Sequence, residues 1–282
     1  LGVATEELDL SGAHLSYGDF EDATFKGTGV IRLDGAGLAH ADLSGSTISA
    51  EGKPAQTIDF RGANLTNADL SGSKLTAASD SGERGSTGDS LIDFTGADLA
   101  NADLRGSKFT SIIGSYDEDG EATIDFTEAN LAHADLSGSR LKADAERGNA
   151  VIGFTKATLA HADLSGSKLS ADGGRYATID FNEANLAHAD LSGSKVTTDG
   201  NHGITTATIG FKKANLANAD LSGSKLEAKG TEATIDFIGA NLAHTDLSGS
   251  NFEAYTDYYG ATVDFTKANL ANADLSGSLL TA

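Results

Sequence analysis

The chain has 282 residues, of which 34 are glycine, one is proline and none is cysteine, methionine or tryptophan, and its formal net charge at pH 7 is −21. The lack of cysteine excludes disulfides and thiolate chemistry, and no apolar run reaches the roughly 18 residues that indicate a membrane-spanning helix. Because phosphate contacts need clusters of Lys and Arg, the acidic balance argues against nucleic acid and anionic membranes as ligands.

Apolar anchors recur in steps of five residues from Leu10 to the end of the chain. This step matches neither the 3.6-residue period of an amphipathic helix nor the alternation of an ordinary strand. Each repeat holds four anchors, and the ten quartets predict about ten stacked coils. In chain order they are Leu10, Leu15, Phe20, Phe25; Leu33, Leu38, Leu43, Ile48; Phe60, Leu65, Leu70, Leu75; Phe94, Leu99, Leu104, Phe109; Phe126, Leu131, Leu136, Leu141; Phe154, Leu159, Leu164, Leu169; Phe181, Leu186, Leu191, Val196; Phe211, Leu216, Leu221, Leu226; Phe237, Leu242, Leu247, Phe252; and Phe265, Leu270, Leu275, Leu280.

A side chain that returns to the interior every fifth residue indicates a chain that turns a corner every five residues, and four such sides close a square. Ala129, Ala134 and Ser139 stand two positions before their anchors, where only a small inward group fits beside Leu or Phe. Glycine recurs at one corner, because a tight backbone path favours it. These glycines are Gly45, Gly72, Gly106, Gly138, Gly166, Gly193, Gly223, Gly249 and Gly277.

The segments A-N-L-x-x and A-D-L-S-G resemble the pentapeptide-repeat family, whose pattern is A-(N/D)-L-x-x. The resemblance covers roughly two thirds of the chain and implies a right-handed quadrilateral β-helix. The chain departs from the family at the fourth side, where the path to the next coil takes 8 to 19 residues. In the segment 167–181, alternating inward and outward residues flank a glycine-rich stretch, which predicts strand, tip and strand.

The fold predicted is therefore an all-β solenoid with one extended side, or arch, that carries variable tips. We interpret residues 1–282 as a single domain, with coils from residue 10 onward. Residues 1–9 are interpreted as an amino-terminal cap or as a segment donated to a neighbouring subunit. The missing initiator methionine agrees with removal of a signal peptide, so we expect an extracellular or cell-surface location, with a cytoplasmic one as the alternative.

The two ends of the stack are the predicted assembly edges. The chain stops two residues after Leu280 without polar cover, whereas terminal repeats normally need a polar cap and an unpaired strand edge invites pairing. End-to-end assembly of copies and an excerpt from a longer solenoid both remain open, and both give a long fibre. The edge residues are Leu10, Leu15, Phe265, Leu270, Leu275 and Leu280.

An aspartate stands one residue before the third anchor of every repeat, and we call this column the Asp ladder. Its members are Asp19, Asp42, Asp69, Asp103, Asp135, Asp163, Asp190, Asp220, Asp246 and Asp274. One interpretation is a stripe that binds divalent cations or imitates the charge of DNA. The favoured interpretation is that each Asp accepts backbone N–H groups at a corner, as Asp does in turns.

A second polar column alternates histidine and asparagine: His40, Asn67, Asn101, His133, His161, His188, Asn218, His244 and Asn272. Stacked imidazoles bind a transition metal only when neighbouring ligands complete the array. Asparagine replaces histidine freely here, so hydrogen-bonded stacking on the exterior is favoured. We predict no metal enzyme.

A regular rank of outward threonines on the arch side resembles the faces of ice-binding proteins: Thr57, Thr123, Thr178, Thr208, Thr234 and Thr262. Interleaved aspartates and breaks at Ala150 and Gly210 argue against a flat, weakly charged plane. The β-propensity of threonine on an exposed strand explains the rank equally well.

Two arch tips carry residues that do not recur in the other repeats. Asp117, Asp119 and Glu121 alternate as Ca²⁺ ligands do, but the later ligands of an EF-hand loop are missing. Tyr255, Tyr258 and Tyr259 form an aromatic tip that suits contact with a partner or a glycan.

No nucleophile elbow, phosphate-binding loop or catalytic pair stands apart from the repeat, so we expect no enzyme and no cofactor other than Ca²⁺. The predicted function is a self-associating structural solenoid that forms a fibre, stalk or sheath by stacking on copies of itself. The family resemblance implies one alternative, a DNA mimic that acts on a type II topoisomerase. A face that binds Ca²⁺ or ice is the second alternative.

Overall fold

The computed structural model describes residues 7–53, 55–80, 88–114, 119–200, 205–256 and 260–282, and these residues form strands and turns without a helix. The strands are β1 Leu8–Asp9, β2 Thr24–Gly27, β3 Val30–Arg32, β4 Thr47–Gly52, β5 Gln56–Asp59, β6 Lys74–Ser79, β7 Ser90–Asp93, β8 Lys108–Ile113, β9 Glu121–Asp125, β10 Arg140–Ala145, β11 Asn149–Gly153, β12 Lys168–Gly173, β13 Tyr176–Asp180, β14 Lys195–Gly200, β15 Thr206–Gly210, β16 Lys225–Lys229, β17 Glu232–Asp236, β18 Asn251–Tyr255, β19 Ala261–Asp264 and β20 Leu279–Thr281.

Two parallel ten-stranded sheets run along the molecule, one built from the odd-numbered and one from the even-numbered strands. Each strand pairs with its counterparts in the preceding and following coils, so that Leu141 lies beside Phe109 on one side and Leu169 on the other. Every repeat thus adds one strand to each sheet. The predicted all-β solenoid is confirmed.

Two narrower sides complete each coil. They are ladders of single-residue parallel bridges, one running from His14 to Asn269 and the other from Asp19 to Asp274. Together with the two sheets they give four stacked sides per coil, which is the quadrilateral section that the five-residue step predicted.

The corners depend on residues in the left-handed region of the backbone. In one repeat these residues are Glu128, His133 and Gly138, with φ angles of 59°, 59° and 65°. At the middle corner the N–H of Ala134 donates to the carbonyl of Leu131 at 3.0 Å, closing a four-residue turn. A positive φ at the third residue is what a type II turn requires. From the sequence, only the corner with the recurring glycine indicated a residue with positive φ.

The core is one continuous column of anchors. Leu131, Leu141 and their counterparts in the inner coils are buried, and the small residues Ala129, Ala134 and Ser139 are each only 1% exposed. Phenylalanines stack ring on ring, with centroids 4.7–5.0 Å apart. The stacked rings are Phe60, Phe94, Phe126, Phe154, Phe181, Phe211, Phe237 and Phe265.

The predicted strand, tip and strand are present on the arch side. Leu169, Ala171 and Ile179 point inward and are buried, and they lie on β12 and β13, which belong to different sheets. The arch interior is narrow, because a Cβ placed on Gly173 would lie 2.1 Å from the carbonyl oxygen of Tyr176. Small residues line most of the arch interior, although Ile113 is buried at the register position of Ala145.

The parallel sheet begins within the segment interpreted as a cap or donor. Leu8 and Asp9 of β1 pair with Ile31 and Arg32 of β3. Residues 1–6 of that segment lie outside the described part of the chain.

Candidate functional site

The Asp ladder coincides with the bridge ladder that runs from Asp19 to Asp274, and its side chains close the turns there. The Oδ1 atom of Asp135 accepts the backbone N–H of Ser137 at 2.9 Å, and that of Asp163 accepts the N–H of Ser165 at 2.8 Å. The same bond, to the residue two positions on, occurs at every other member of the ladder. The turn interpretation of these residues is therefore confirmed.

The ladder is also a line of negative charge. The hydroxyl and the N–H of Ser44 hold the pKa of Asp42 below its usual value, and the N–H and hydroxyl of Ser276 do the same for the pKa of Asp274. The turn engages Oδ1, which leaves Oδ2 for other contacts. In Asp135 this second oxygen lies 3.7 Å from Nε of Arg105.

The bridge ladder that runs from His14 to Asn269 carries a row of amide side chains along the axis, which we call the amide ladder. Nδ2 of Asn215 donates to Oδ1 of Asn185 at 3.0 Å, and the same bond joins Asn241 to Asn215 and Asn269 to Asn241. Asn130 donates in the same way to Asp98 at 2.9 Å. These bonds tie successive coils together, so this column stabilises the stack.

The His/Asn column occupies the middle corner, where all its members have positive φ. Asparagine and histidine adopt this left-handed conformation more readily than most residues, which explains why they alternate. His133, His161 and His188 stack with ring centroids 4.9 and 4.7 Å apart, as expected for external stacking. Among the described residues, no three His, Asp or Glu side chains gather in a way that could bind a metal ion.

A basic column on the even-numbered sheet went unrecognised in the sequence. Six neighbouring strands of this sheet, the even-numbered strands from β6 to β16, place a cation at the same register position. These cations are Lys74, Lys108, Arg140, Lys168, Lys195 and Lys225. The available signal was the residue immediately before the fourth anchor. This acidic chain therefore concentrates cations on one face, which its net charge alone does not indicate.

The sequence matches the family described as Pentapeptide repeats in eight copies, at residues 58–79, 90–111, 124–142, 235–254 and 262–281. The chain carries pentapeptide repeats. Its long arch connections lie largely between the matched stretches, which agrees with insertions at one corner of each coil.

Solved pentapeptide-repeat structures resemble this protein. HetL from the cyanobacterium Nostoc sp. strain PCC 7120 is 22% identical, with 95% of this chain and 90% of that chain covered and a TM-score of 0.23. QnrB1, a plasmid-mediated fluoroquinolone resistance protein, is 16% identical, with 91% of both chains covered and a TM-score of 0.29. No curated protein matches the sequence.

The two described calcium candidates are each engaged by another side chain. Asp119 forms an ion pair with Arg175 at 2.5 Å, and Glu121 accepts the hydroxyl of Thr123 at 2.6 Å. Asp117 lies outside the described residues, as do Tyr258 and Tyr259 of the aromatic tip. Tyr255, the described member of that tip, is 53% exposed.

The threonine rank is shorter than the sequence suggested. It is continuous only over Thr178, Thr208, Thr234 and Thr262. The predicted break at Ala150 was wrong by one residue, because Ala150 is buried in the arch and Val151 occupies the threonine position. No described segment is a helix that is long and apolar enough to cross a membrane.

The predicted assembly edges are the least covered part of the core. Leu10, Leu15, Phe265, Leu270 and Leu275 are only partly buried, and Leu280 is 39% exposed. Each of these anchors packs against one neighbouring coil of the described chain instead of two.

Proposed function

We propose that this protein is a structural solenoid that stacks coil on coil with further copies to build a fibre, stalk or sheath. The supporting observation is that both end coils expose the same anchor register. Within the described residues an inner coil buries its anchors between two neighbours, whereas each end coil covers its anchors from one side only.

The two end faces complement one another because every coil is built alike. A copy placed end to end in the same register sets Phe265 against Leu10, Leu270 against Leu15 and Leu275 against Phe20. Each apolar side chain that becomes fully buried contributes up to about 1.5–3 kcal/mol. Such a contact joins unlike faces, and a head-to-tail contact that does not close into a ring gives an open filament.

Both sheets would continue through this contact. The edges of β19 and β20 at one end and of β1 and β2 at the other carry unpaired backbone groups within the described coils. Pairing of these edges adds main-chain hydrogen bonds to the apolar contact, as strand addition does elsewhere.

An extracellular or cell-surface location is part of the proposal, as is a role without catalysis. The chain has no cysteine and no methionine, so it lacks the sulfur side chains that oxidants attack first. A fibre exposed to an oxidising environment benefits from this composition.

Negative-stain electron microscopy of the purified 282-residue chain tests the proposal. We expect filaments one solenoid wide, which lengthen as the protein concentration rises. Leu15→Asp places a charge in the contact and should leave short rods, whereas Ser16→Asp, one residue away on the exposed surface, should assemble normally. Single rods at the highest attainable concentration would refute axial stacking.

The Asp ladder supports a second candidate, imitation of DNA at a type II topoisomerase, because it is an unbroken line of carboxylates along one side. A gyrase supercoiling assay in the presence of a fluoroquinolone tests this function. Protection of the enzyme that is lost in Asp135→Asn with Asp163→Asn would favour this candidate over the fibre.

A further inference from the structure

We infer that the basic column of the even-numbered sheet binds a second copy of this chain side by side, with its cations facing the Asp ladder of the neighbouring molecule. This lateral contact uses other residues than axial stacking and goes beyond the proposed function. It would join solenoids into bundles or layers.

The basic column is exposed and lacks internal partners. Lys74, Lys108, Arg140, Lys168 and Lys195 are exposed, and within the described residues none of these five makes an ion pair. Several other cations of the described chain are paired, as the next paragraph shows. The column therefore presents a line of unneutralised positive charge.

The contrast with neighbouring cations is direct. On the same sheet Nζ of Lys142 lies 2.6 Å from Oδ2 of Asp144, and on the first corner Lys213 pairs with Glu183 at 3.5 Å. Lys225, the last member of the basic column, contacts Glu227 at 3.0 Å. Like charges at the spacing of adjacent strands repel one another, so an external line of anions would relieve the repulsion among the other five.

The spacing of the column selects its partner. Adjacent strands of a sheet lie about 4.8 Å apart, and the basic column and the Asp ladder each advance by one residue per coil. Two solenoids lying side by side can therefore pair one carboxylate with each cation along several coils without a change of register. The Oδ2 atoms of the ladder remain outside the turn bonds and can accept such contacts, except in Asp103, whose Oδ2 is held by Arg105.

The surroundings of the column disfavour nucleic acid. The next outward position on strands β6 to β14 of this sheet offers no aromatic face for stacking bases; it holds Thr76, Thr110, Lys142, Ser170 and Thr197. The position beyond it becomes acidic at Asp144, Asp172 and Asp199, which repels a broad polyanion. A narrow row of carboxylates on a rigid rod avoids that repulsion.

Charge reversal tests the inference. The variant Lys108→Glu, Arg140→Glu, Lys168→Glu, Lys195→Glu should weaken side-by-side association at least about tenfold, since each exposed ion pair contributes modestly. The matched control reverses Lys156, Lys212, Lys213 and Lys267 to glutamate, which changes the net charge equally and should retain bundles. Light scattering and negative-stain width measurements give the readout at 0.1 M and 0.5 M salt, and high salt should disperse the wild-type bundles.

A second variant tests the Asp ladder, which is the other side of the proposed lateral contact. Asparagine replaces aspartate in the same kind of turn in this chain, since Oδ1 of Asn130 accepts the N–H of Ala132 at 3.2 Å. Asp135→Asn, Asp163→Asn and Asp190→Asn together should thus keep the fold, checked by circular dichroism, and lose bundling.

Lateral and axial contacts can fail independently. Leu15→Asp should abolish long filaments and leave side-by-side pairs of short rods, whereas the charge-reversed variant should give filaments of single width. Bundles that persist in the charge-reversed variant would overturn the inference. So would a wild-type protein that binds polyglutamate through the basic column yet never associates sideways with itself.

Discussion

Replacing Phe154 by leucine removes one ring from the middle of the phenylalanine stack. Its ring lies 5.0 Å from that of Phe126 and 4.7 Å from that of Phe181, with nearly parallel planes. Aromatic pairs contribute about 0.5–1.5 kcal/mol beyond area burial, so losing two pairs should cost about 1–3 kcal/mol. Leucine fills most of the volume and occupies the same anchor position at Leu33, which limits any cavity term.

Phe265 provides the matched comparison because it lies at the end of the stack. Its ring has one parallel neighbour, Phe237, at 4.8 Å, and its side chain is only partly buried. Phe265→Leu should therefore cost about 0.5–1.5 kcal/mol, roughly half the loss at the central position.

Guanidinium unfolding followed by circular dichroism, at a concentration where the chain is not assembled, measures both losses. The central substitution should shift the midpoint about twice as far as the terminal one. Equal losses at the two positions, or no loss at Phe154, would show that ring stacking between coils adds nothing beyond apolar burial.

Three further predictions concern the coil corners. Ser167 is buried and its hydroxyl has no hydrogen-bond partner, so Ser167→Ala should raise the melting temperature; Ser250→Ala should lower it, because that hydroxyl donates to the carbonyl of Leu247. A melting temperature that falls in both variants would contradict this reasoning. Gly138 has a φ of +65° and open space around its missing Cβ, so Gly138→Ala should cost about 1–2 kcal/mol through backbone strain alone, measured by denaturant unfolding, and an unchanged midpoint would contradict it. The pKa of Asp42 is lowered by Ser44, so its contribution is present above the unfolded pKa, about 3.9, and is lost as the pH falls through the lower folded pKa. Asp42→Asn should flatten the fall in unfolding free energy on acidification below pH ~4, and an identical acid titration of both proteins would refute the assignment.

Because the coils stack in register, a residue type that recurs at one position of the repeat forms a continuous row on the surface. Because every coil keeps the same register, one residue choice before the fourth anchor becomes a row of cations, and one before the third anchor becomes a row of carboxylates. Rows of this kind interact with straight, periodic partners better than with compact ones. This geometry underlies both the axial and the lateral contacts that we propose.

The anchor spacing of the sequence was sufficient to predict the coil, the inward small residues, the turn role of the Asp ladder and the two strands of the arch. These features depend on residues within one repeat, and the same local pattern was available ten times. The resemblance to the pentapeptide-repeat family added the expectation of a right-handed winding.

Only the tertiary structure decided which outward residues lie together. The arch connections differ in length, so residues beyond the fourth anchors, such as Asp119 and Arg175, become neighbours only after the tips have absorbed the difference and the strands have paired. For the same reason Val151, and not Ala150, lies in the threonine rank. The left-handed corners at Glu128 and Lys156 were also hidden, because the tightness of the turn forces these residues into that conformation against their own preference.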